Sequence, residues 1–299
     1  MRILVTGGCG FIGSHLVDQL VKEHEITVLD KNINSEFKND KVKYIEGNLL
    51  NPEDIQKCMP VDAVFHLAAN VEVKTGVDNT HADFDNNITA TFNVLEVMRK
   101  NNVKRIVFTS SSTVYGETET IPTPEDYGIL KPISLYGGSK LACEAMVSSY
   151  CGSFGFKGTV FRFANIIGSR ATHGVILDFI NKLRATPDNL EILGDGKQCK
   201  SYLHVSDCVN AIILATNKQE SDFDVYNVGS EQQTTVTDIG KVVAEEMKLK
   251  PTFSYTGGSR GWVGDIPKFL LDVKKIMSLG WEYKYSSTES IRKTVQELL

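Results

Sequence analysis

The feature that most narrows the folds open to this chain lies at its start. A short apolar run, Arg2 to Thr6, passes at once into Gly7-Gly8-Cys9-Gly10-Phe11-Ile12-Gly13, and then into apolar residues at helical spacing (Ile12, Leu16, Val17, Leu20, Val21). A strand that turns directly into a helix leaves the first N–H groups of that helix without partners and points its positive end at the turn. Side chains there would keep an anion from the backbone, hence glycine at Gly7, Gly10 and Gly13. The G-x-x-G-x-x-G spacing is one residue longer than the common form, and by itself it also fits a plain tight turn. The rest of the chain supplies context. Short β-branched runs recur at Glu25 to Leu29, Val42 to Ile45, Ala63 to His66, Arg105 to Thr109 and Thr159 to Phe163. Helical patterns such as Ile88, Phe92, Leu95, Val97 and Met98 separate them. Strands apolar on both faces and alternating with helices predict a doubly wound, parallel α/β sheet of the Rossmann type.

Beyond Asn165 the rhythm becomes irregular. Helices are expected around Val175 to Ala185, Ser206 to Thr216, Val236 to Met247, Val273 to Leu279 and Thr288 to Leu299, with a turn at Gly194-Asp195-Gly196 and a strand near Val225 to Val228. This predicts a first lobe of residues 1–168 plus about 206–229, and a smaller substrate-binding lobe of about 169–205 and 230–299. With 32 Lys and Arg against 37 Asp and Glu and no long basic run, nothing attracts nucleic acid. Six scattered cysteines without metal-ligand spacing predict reduced thiols, no disulfide and no metal. The opening apolar run is far shorter than the roughly 20 residues of a membrane span, so a soluble, cytoplasmic protein without a membrane partner is expected.

Twenty residues after Gly10, at the end of the second strand, stands Asp30. A carboxylate there accepts hydrogen bonds from both hydroxyls of a ribose and repels a 2′-phosphate, which favours NAD over NADP, although Lys31 beside it partly offsets that repulsion. Tyr136 and Lys140 stand four apart in SLYGGSKLA, on one face of a helix start. A phenol is a poor base at neutral pH, but a nearby ammonium stabilises phenolate, so such a pair can exchange a proton with a sugar hydroxyl. A cluster of hydroxyls, Thr109 to Thr113, ends the strand expected to face the same crevice. Each motif alone fits a bland surface; their order behind a dinucleotide loop does not.

These residues make the chain resemble an extended short-chain dehydrogenase/reductase of the NAD-dependent epimerase/dehydratase family. The resemblance covers essentially the whole chain and rests on TGGCGFIGSHL (6–16), Asp30, HLAA (66–69), Asn87 with Thr91, SSSTVYG (110–116), Tyr136 to Lys140, RFANIIG (162–168), GDGKQCKSYLHVSD (194–207) and RGWVGD (260–265). It implies that Tyr136 is the base, that Lys140 lowers its pKa and holds the nicotinamide ribose, and that Ser111, with Ser112 as rival, shares the substrate's proton. It places Gly7, Gly10, Phe11, Ile12, Gly13, Asp30, Asn32, Asn48, Leu49, Leu67, Ala68, Ala69, Asn87, Ser110 and Phe163 around NAD. Asn165, Lys200, Tyr202, Arg260 and Asp265 would surround a nucleotide sugar. Departures from the family pattern are Asn48 for an acid at the adenine, Lys200 for an Arg that grips a diphosphate in two-pronged fashion, and Thr80 and Ala90 for Pro and Gly.

The same resemblance bears on the reaction. A dehydratase needs an acid/base pair where Ser112-Thr113 stands, and neither hydroxyl does that work at neutral pH. Epimerisation at C4 of a UDP-hexose, UDP-glucose and UDP-galactose first, needs only the groups present. Another nucleotide-sugar enzyme (C4 reductase, uronate epimerase or decarboxylase) and a non-catalytic cofactor-sensing protein are the alternatives. A homodimer through helices Ala82 to Lys100 and Tyr136 to Ser153 is also expected, since both carry apolar residues on more than one face.

Overall fold

The computed structural model describes residues 1–70, 79–261 and 266–299. Seven strands form the main sheet: β1 (Arg2–Thr6), β2 (Glu25–Asp30), β3 (Lys43–Glu46), β4 (Ala63–His66), β5 (Arg105–Ser111), β6 (Lys157–Phe163) and β11 (Phe223–Val228), in the order β11-β6-β5-β4-β1-β2-β3. The pairs β1·β2, β1·β4, β2·β3 and β4·β5 are parallel. This is the Rossmann-type sheet that the alternating pattern predicts. The strand order reverses between β1 and β4, where Thr6 lies opposite His66, so a crevice for a ligand opens beyond the carboxyl ends of these two strands.

Burial explains why these runs are strands. Ile3, Leu4 and Val5 are all buried although their side chains alternate, because helices cover both faces of the sheet. Helix α1 (Phe11–Leu20) turns Leu16, Val17 and Leu20 inward. Leu4, Leu29, Val64, Ile106 and Phe108 of the strands meet Val94, Leu95 and Met98 of a helix over Ala90–Lys100 and Val147 of another over Leu135–Phe154 in one core. Each such side chain contributes about 1.5–3 kcal/mol by leaving water. In chain order the helices before the second half are α2 (Pro52–Gln56), α3 (Thr80–Asp83), α4 (Ala90–Lys100) and α5 (Leu135–Phe154). The single helix expected from Ala82 to Lys100 is in fact α3, a wide π turn over Phe84–Thr89, and α4.

The described chain divides into two compact units: Met1–Gly116, Leu130–Arg162 and Ile212–Tyr226 in the first, and Glu117–Ile129, Phe163–Ala211 and Asn227–Leu299 in the second. The expected boundary put residues 117–129 in the first lobe. They cluster instead with the second, because the Thr123 N–H donates to the Leu270 carbonyl at 2.8 Å and the Thr123 carbonyl accepts from Asp272 N at 2.9 Å. The second unit contains α6 (Val175–Ala185), α8 (Val236–Glu246), α9 (Lys274–Met277) and α10 (Ser287–Leu298), while α7 (Val205–Lys218) crosses the boundary. Phe179, Leu183, Ile239, Val243, Ile291 and Val295 form its core. Ser286 and Glu289 close a reciprocal capping box at the start of α10. Among the described residues, no helix is long and apolar enough to cross a membrane.

Candidate active site

The glycine loop has the shape its spacing demands. Gly7 has φ +71°, and a Cβ on it would meet Ala68 N at 2.6 Å; a Cβ on Gly13 would meet the Gly7 carbonyl oxygen at 2.1 Å. Both positions therefore admit hydrogen alone. Gly10 is the N-cap of α1, makes no side-chain cap, and no acid occupies the first turn. The leading N–H groups of α1, at Phe11, Ile12 and Gly13, thus keep the unfilled donor capacity and partial positive charge that suit a pyrophosphate. Asp30 lies beside them. Its Oδ2 accepts from Cys9 N at 3.0 Å and its Oδ1 from Asn32 N at 3.3 Å, which leaves lone pairs for two ribose hydroxyls. Lys31 donates to Asn86 Oδ1, and Asn48 Oδ1 accepts from Leu50 N at 3.0 Å beside the buried Leu49. This donor set fits a dinucleotide.

Past β4, Leu67 N donates to the Thr6 carbonyl at 3.1 Å, and Ala68 and Ala69 follow it half-buried. His66 is held between Thr6 Oγ1 at 2.6 Å and Thr91 Oγ1 at 3.0 Å. Burial, with the Lys140 charge second, pushes this imidazole down to about 3, so it stays neutral.

Helix α5 begins where Ser134 caps it through Gly137 N, and it carries Tyr136 and Lys140 one turn apart. Lys140 is buried. Its Nζ donates to the Thr109 carbonyl at 2.8 Å and lies 4.9 Å from the Phe108 ring centre and 5.9 Å from that of Tyr136. Burial lowers the amine to about 8. Ser111 Oγ accepts from Thr113 N at 3.2 Å and Thr113 Oγ1 at 3.0 Å, so its own proton is left to donate to the Tyr136 hydroxyl. The expected depression of the Tyr136 phenol is not a property of the protein alone. Burial pushes it up to about 12; the Ser111 hydrogen bond pulls down, while the charges of Asp83 and Cys143 push up. Loss of water outweighs any help from Lys140.

Two elements of the site were not singled out from the sequence. Glu144, one turn beyond Lys140, is 5% exposed and accepts from Ser110 Oγ, from Arg162 Nε at 3.0 Å and from Arg162 Nη2 at 2.7 Å. Arg162 Nη1 donates to the Tyr115 hydroxyl at 2.9 Å. Burial opposes charge on Arg162, but the hydrogen bonds and charge of Glu144 more than offset it and raise the guanidinium. The Ser110 hydroxyl, expected at the cofactor, is spent on this pair. A charged residue inside the strand GTVFRF was the available signal. The other element is the π turn itself, which aims the expected Asn87: its amide donates to Ser139 Oγ at 2.8 Å, while Ser139 donates to the Tyr136 carbonyl at 2.8 Å.

Of the expected substrate residues, Ser111, Ser112 and Tyr136 lie in the first unit, and Asn165, Lys200, Tyr202 and Arg260, with Phe163 of the expected cofactor set, in the second. Asn165 Nδ2 donates to the Ser201 carbonyl at 3.0 Å, at the start of β7 (Asn165–Ile167), which pairs in parallel with β10 (Tyr202–His204). Lys200 is half-buried in β9 (Cys199–Lys200). Tyr202 packs into the apolar core at 5% exposure, which leaves little of its ring for a ligand, and Phe163 is buried at the end of β6. Arg260 is exposed and ion-paired with Glu117. Asp265 lies outside the described residues.

Rossmann sheet, uncapped glycine loop and a Ser-Tyr-Lys set together define a dinucleotide-dependent oxidoreductase-like architecture. The model of the NAD dependent epimerase/dehydratase family matches residues 3–229, and the chain belongs to that family. It is similar to a crystal structure of a UDP-galactose 4-epimerase at TM-score 0.91 and 42% identity, covering 100% of this chain and 98% of that one. A UDP-glucose 4-epimerase structure with UDP-glucose from Thermotoga maritima has TM-score 0.91 and 32% identity, covering 100% and 98%. A UDP-N-acetyl-alpha-D-glucosaminuronate decarboxylase of Bacillus cytotoxicus is also 32% identical, over 80% of this chain and 78% of its own length.

Proposed function

We propose that the chain interconverts UDP-hexoses at C4, with UDP-glucose and UDP-galactose as the first pair, and keeps NAD bound through the cycle. The observation that carries this reading is the pairing of Tyr136 and Lys140 one turn apart on α5, with Lys140 Nζ 5.9 Å from the Tyr136 ring centre, together with a Ser111 turn in which Ser112 and Thr113 supply no carboxyl acid/base pair. The backbone at Gly7, Gly10, Phe11, Ile12 and Gly13 would hold the NAD pyrophosphate, Asp30 and Asn32 a ribose, and Asn48 and Leu49 the adenine. Leu67, Ala68, Ala69 and Asn87 would line its path to Tyr136 and Lys140. When bound, NAD supplies a reversible acceptor for the hydrogen on the sugar C4. Ser111 orients the C4 hydroxyl, and Tyr136 takes its proton and returns it. With its phenol near 12 in the protein alone, Tyr136 keeps its proton until positive charge is brought beside it. Asn165, Lys200, Arg260 and Asp265 would grip the nucleotide diphosphate.

Incubation with UDP-galactose and no added NADH is expected to give UDP-glucose, and Tyr136→Phe is expected to lower turnover by about 10²–10⁴-fold while NAD stays bound. No turnover of any UDP-hexose or UDP-N-acetylhexosamine overturns the reading. The decarboxylase similarity favours a second one, and CO2 release from a UDP-uronate would select it. A homodimer belongs to the same proposal: Phe84 at 55% and Phe92 at 47% exposure leave apolar surface on the π turn and α4. Light scattering that reports a monomer at micromolar protein refutes the dimer.

A further inference from the structure

Ser111 is the last residue of β5, and its side chain caps a short 3-10 turn over Ser112–Tyr115. A serine hydroxyl has one proton to give and two lone pairs to receive with. Both lone pairs are taken by one residue. Thr113 N donates to Ser111 Oγ at 3.2 Å, and Thr113 Oγ1 donates to the same oxygen at 3.0 Å. The backbone bond is the ordinary contact of a cap, open to any residue at 113 but proline; the hydroxyl bond needs Thr or Ser there. The carbonyl of Thr113 has a third task. A Cβ on Gly137 would meet that oxygen at 2.7 Å, so the glycine that follows Tyr136 lets this turn lie directly against the start of α5. Thr113 thus adjoins both the oxygen of Ser111 and the turn of helix that carries Tyr136.

With its lone pairs filled, Ser111 takes a proton from a neighbour only by giving up one of these bonds. A serine that shares the substrate's proton, as the family resemblance implies, needs a lone pair open. A serine held as a donor does something different: its single proton stabilises whichever facing oxygen carries negative charge, phenolate or sugar alkoxide. We infer that Thr113 is a positioning residue that holds Ser111 as an obligate donor, so that the proton of the C4 hydroxyl passes to Tyr136 directly and is not relayed through Ser111. Thr113 acts through Ser111, by fixing the direction of one hydrogen bond.

This rests on the proposed roles of Ser111 and Tyr136, but its test needs no sugar, so a failed epimerase assay leaves it standing. In NAD-loaded protein labelled with 13C at the tyrosine ζ-carbon, the Tyr136 resonance is the one absent from Tyr136→Phe, and its titration gives the midpoint of the phenol. Thr113→Val keeps the shape and the backbone bond and removes the hydroxyl. Ser111 then has a lone pair open to the neutral phenol, and the Tyr136 midpoint is expected to rise by roughly half to one pH unit. Thr113→Ser, which keeps the hydroxyl, is expected to leave the midpoint in place. In a Ser111→Ala background, Thr113→Val is expected to add no further shift, because the effect passes through Ser111. Among the described residues, the other titratable groups around Tyr136 are Lys140 and Cys143 on its own helix and Asp83 on α3, and all three are retained in every variant. An unmoved midpoint in Thr113→Val, an equal rise in Thr113→Ser, or a further rise in the Ser111→Ala background overturns the inference. If Thr113→Val does not fold, Thr113→Ala is read by the same criteria.

Discussion

Replacing Glu144 by Gln tests whether the buried pair behind Ser110 holds the end of β5. The carboxylate and guanidinium are 6% and 7% exposed, and the carboxylate accepts from Arg162 Nε, Arg162 Nη2 and Ser110 Oγ. Gln keeps one acceptor and turns an amide donor toward either the guanidinium or the hydroxyl. Arg162 is then a buried cation that keeps the Tyr115 hydroxyl but has lost the carboxylate that balanced its charge. Breaking such a pair costs about 3–5 kcal/mol, set against a total stability of about 5–15 kcal/mol. Urea unfolding should show a lower midpoint with an unchanged slope. Adding Arg162→Met removes the stranded charge, so the double variant should recover most of the loss, short of about 1 kcal/mol for the Tyr115 hydrogen bond. Turnover should fall in the single variant as well, since Ser111 is the neighbour of the released Ser110. A loss below about 1 kcal/mol, or a double variant as unstable as the two singles added together, refutes this account.

Gly13→Ala should abolish NAD retention on gel filtration and lower thermal stability, because its Cβ would stand 2.1 Å from the Gly7 carbonyl oxygen; tight NAD binding by the variant contradicts the loop's role. Asp30→Asn should cut the preference for NAD over NADP at least about tenfold in calorimetric binding, since it removes a charge that accepts from two hydroxyls and repels a phosphate. His66 has a folded-state pKa of about 3 against 6.5 unfolded, so the unfolded chain binds more protons between these values. Its contribution to stability is complete above pH 6.5 and is lost as pH falls toward 3. Thermal unfolding of His66→Gln between about pH 4 and 7 should be the less pH-dependent; an equal slope in both proteins counts against the assignment.

How much of this was legible in the sequence depended on whether the signal was local. β1 and β4 fall on the expected residues, and β2, β3 and β5 differ by one or two at their ends, because a buried strand between turn residues carries its own pattern. The two-residue strands β9, β12 (Thr234–Thr235) and β14 (Lys268–Phe269) are too short to show any period, and their pairing is set by tertiary packing. The Gly7 to Gly13 loop, Asp30, Ser111, Tyr136 and Lys140 were readable as chemistry in order along the chain. The Glu144–Arg162 pair was not, since its members are 18 residues apart on different elements. The elevated Tyr136 phenol was not either: spacing brings a lysine near but says nothing of how much water leaves.

The π turn at Phe84–Thr89 ties the site to the core. A wide turn holds one residue more than α-geometry needs; here the Asn87 carbonyl accepts from the Ala90 N–H within the helix and also from the Cys143 thiol, with 3.4 Å between sulfur and oxygen. Ala90, Val94, Leu95, Val97 and Met98 are buried on the helix that follows it. Deleting a single residue from the turn would wind it back to regular helix and rotate everything downstream by about 100°. Asn87 would lose its aim and α4 its buried face in one event. The turn thus works as a phase marker: it keeps the helix in step with the core and the site at once, so neither can drift without the other.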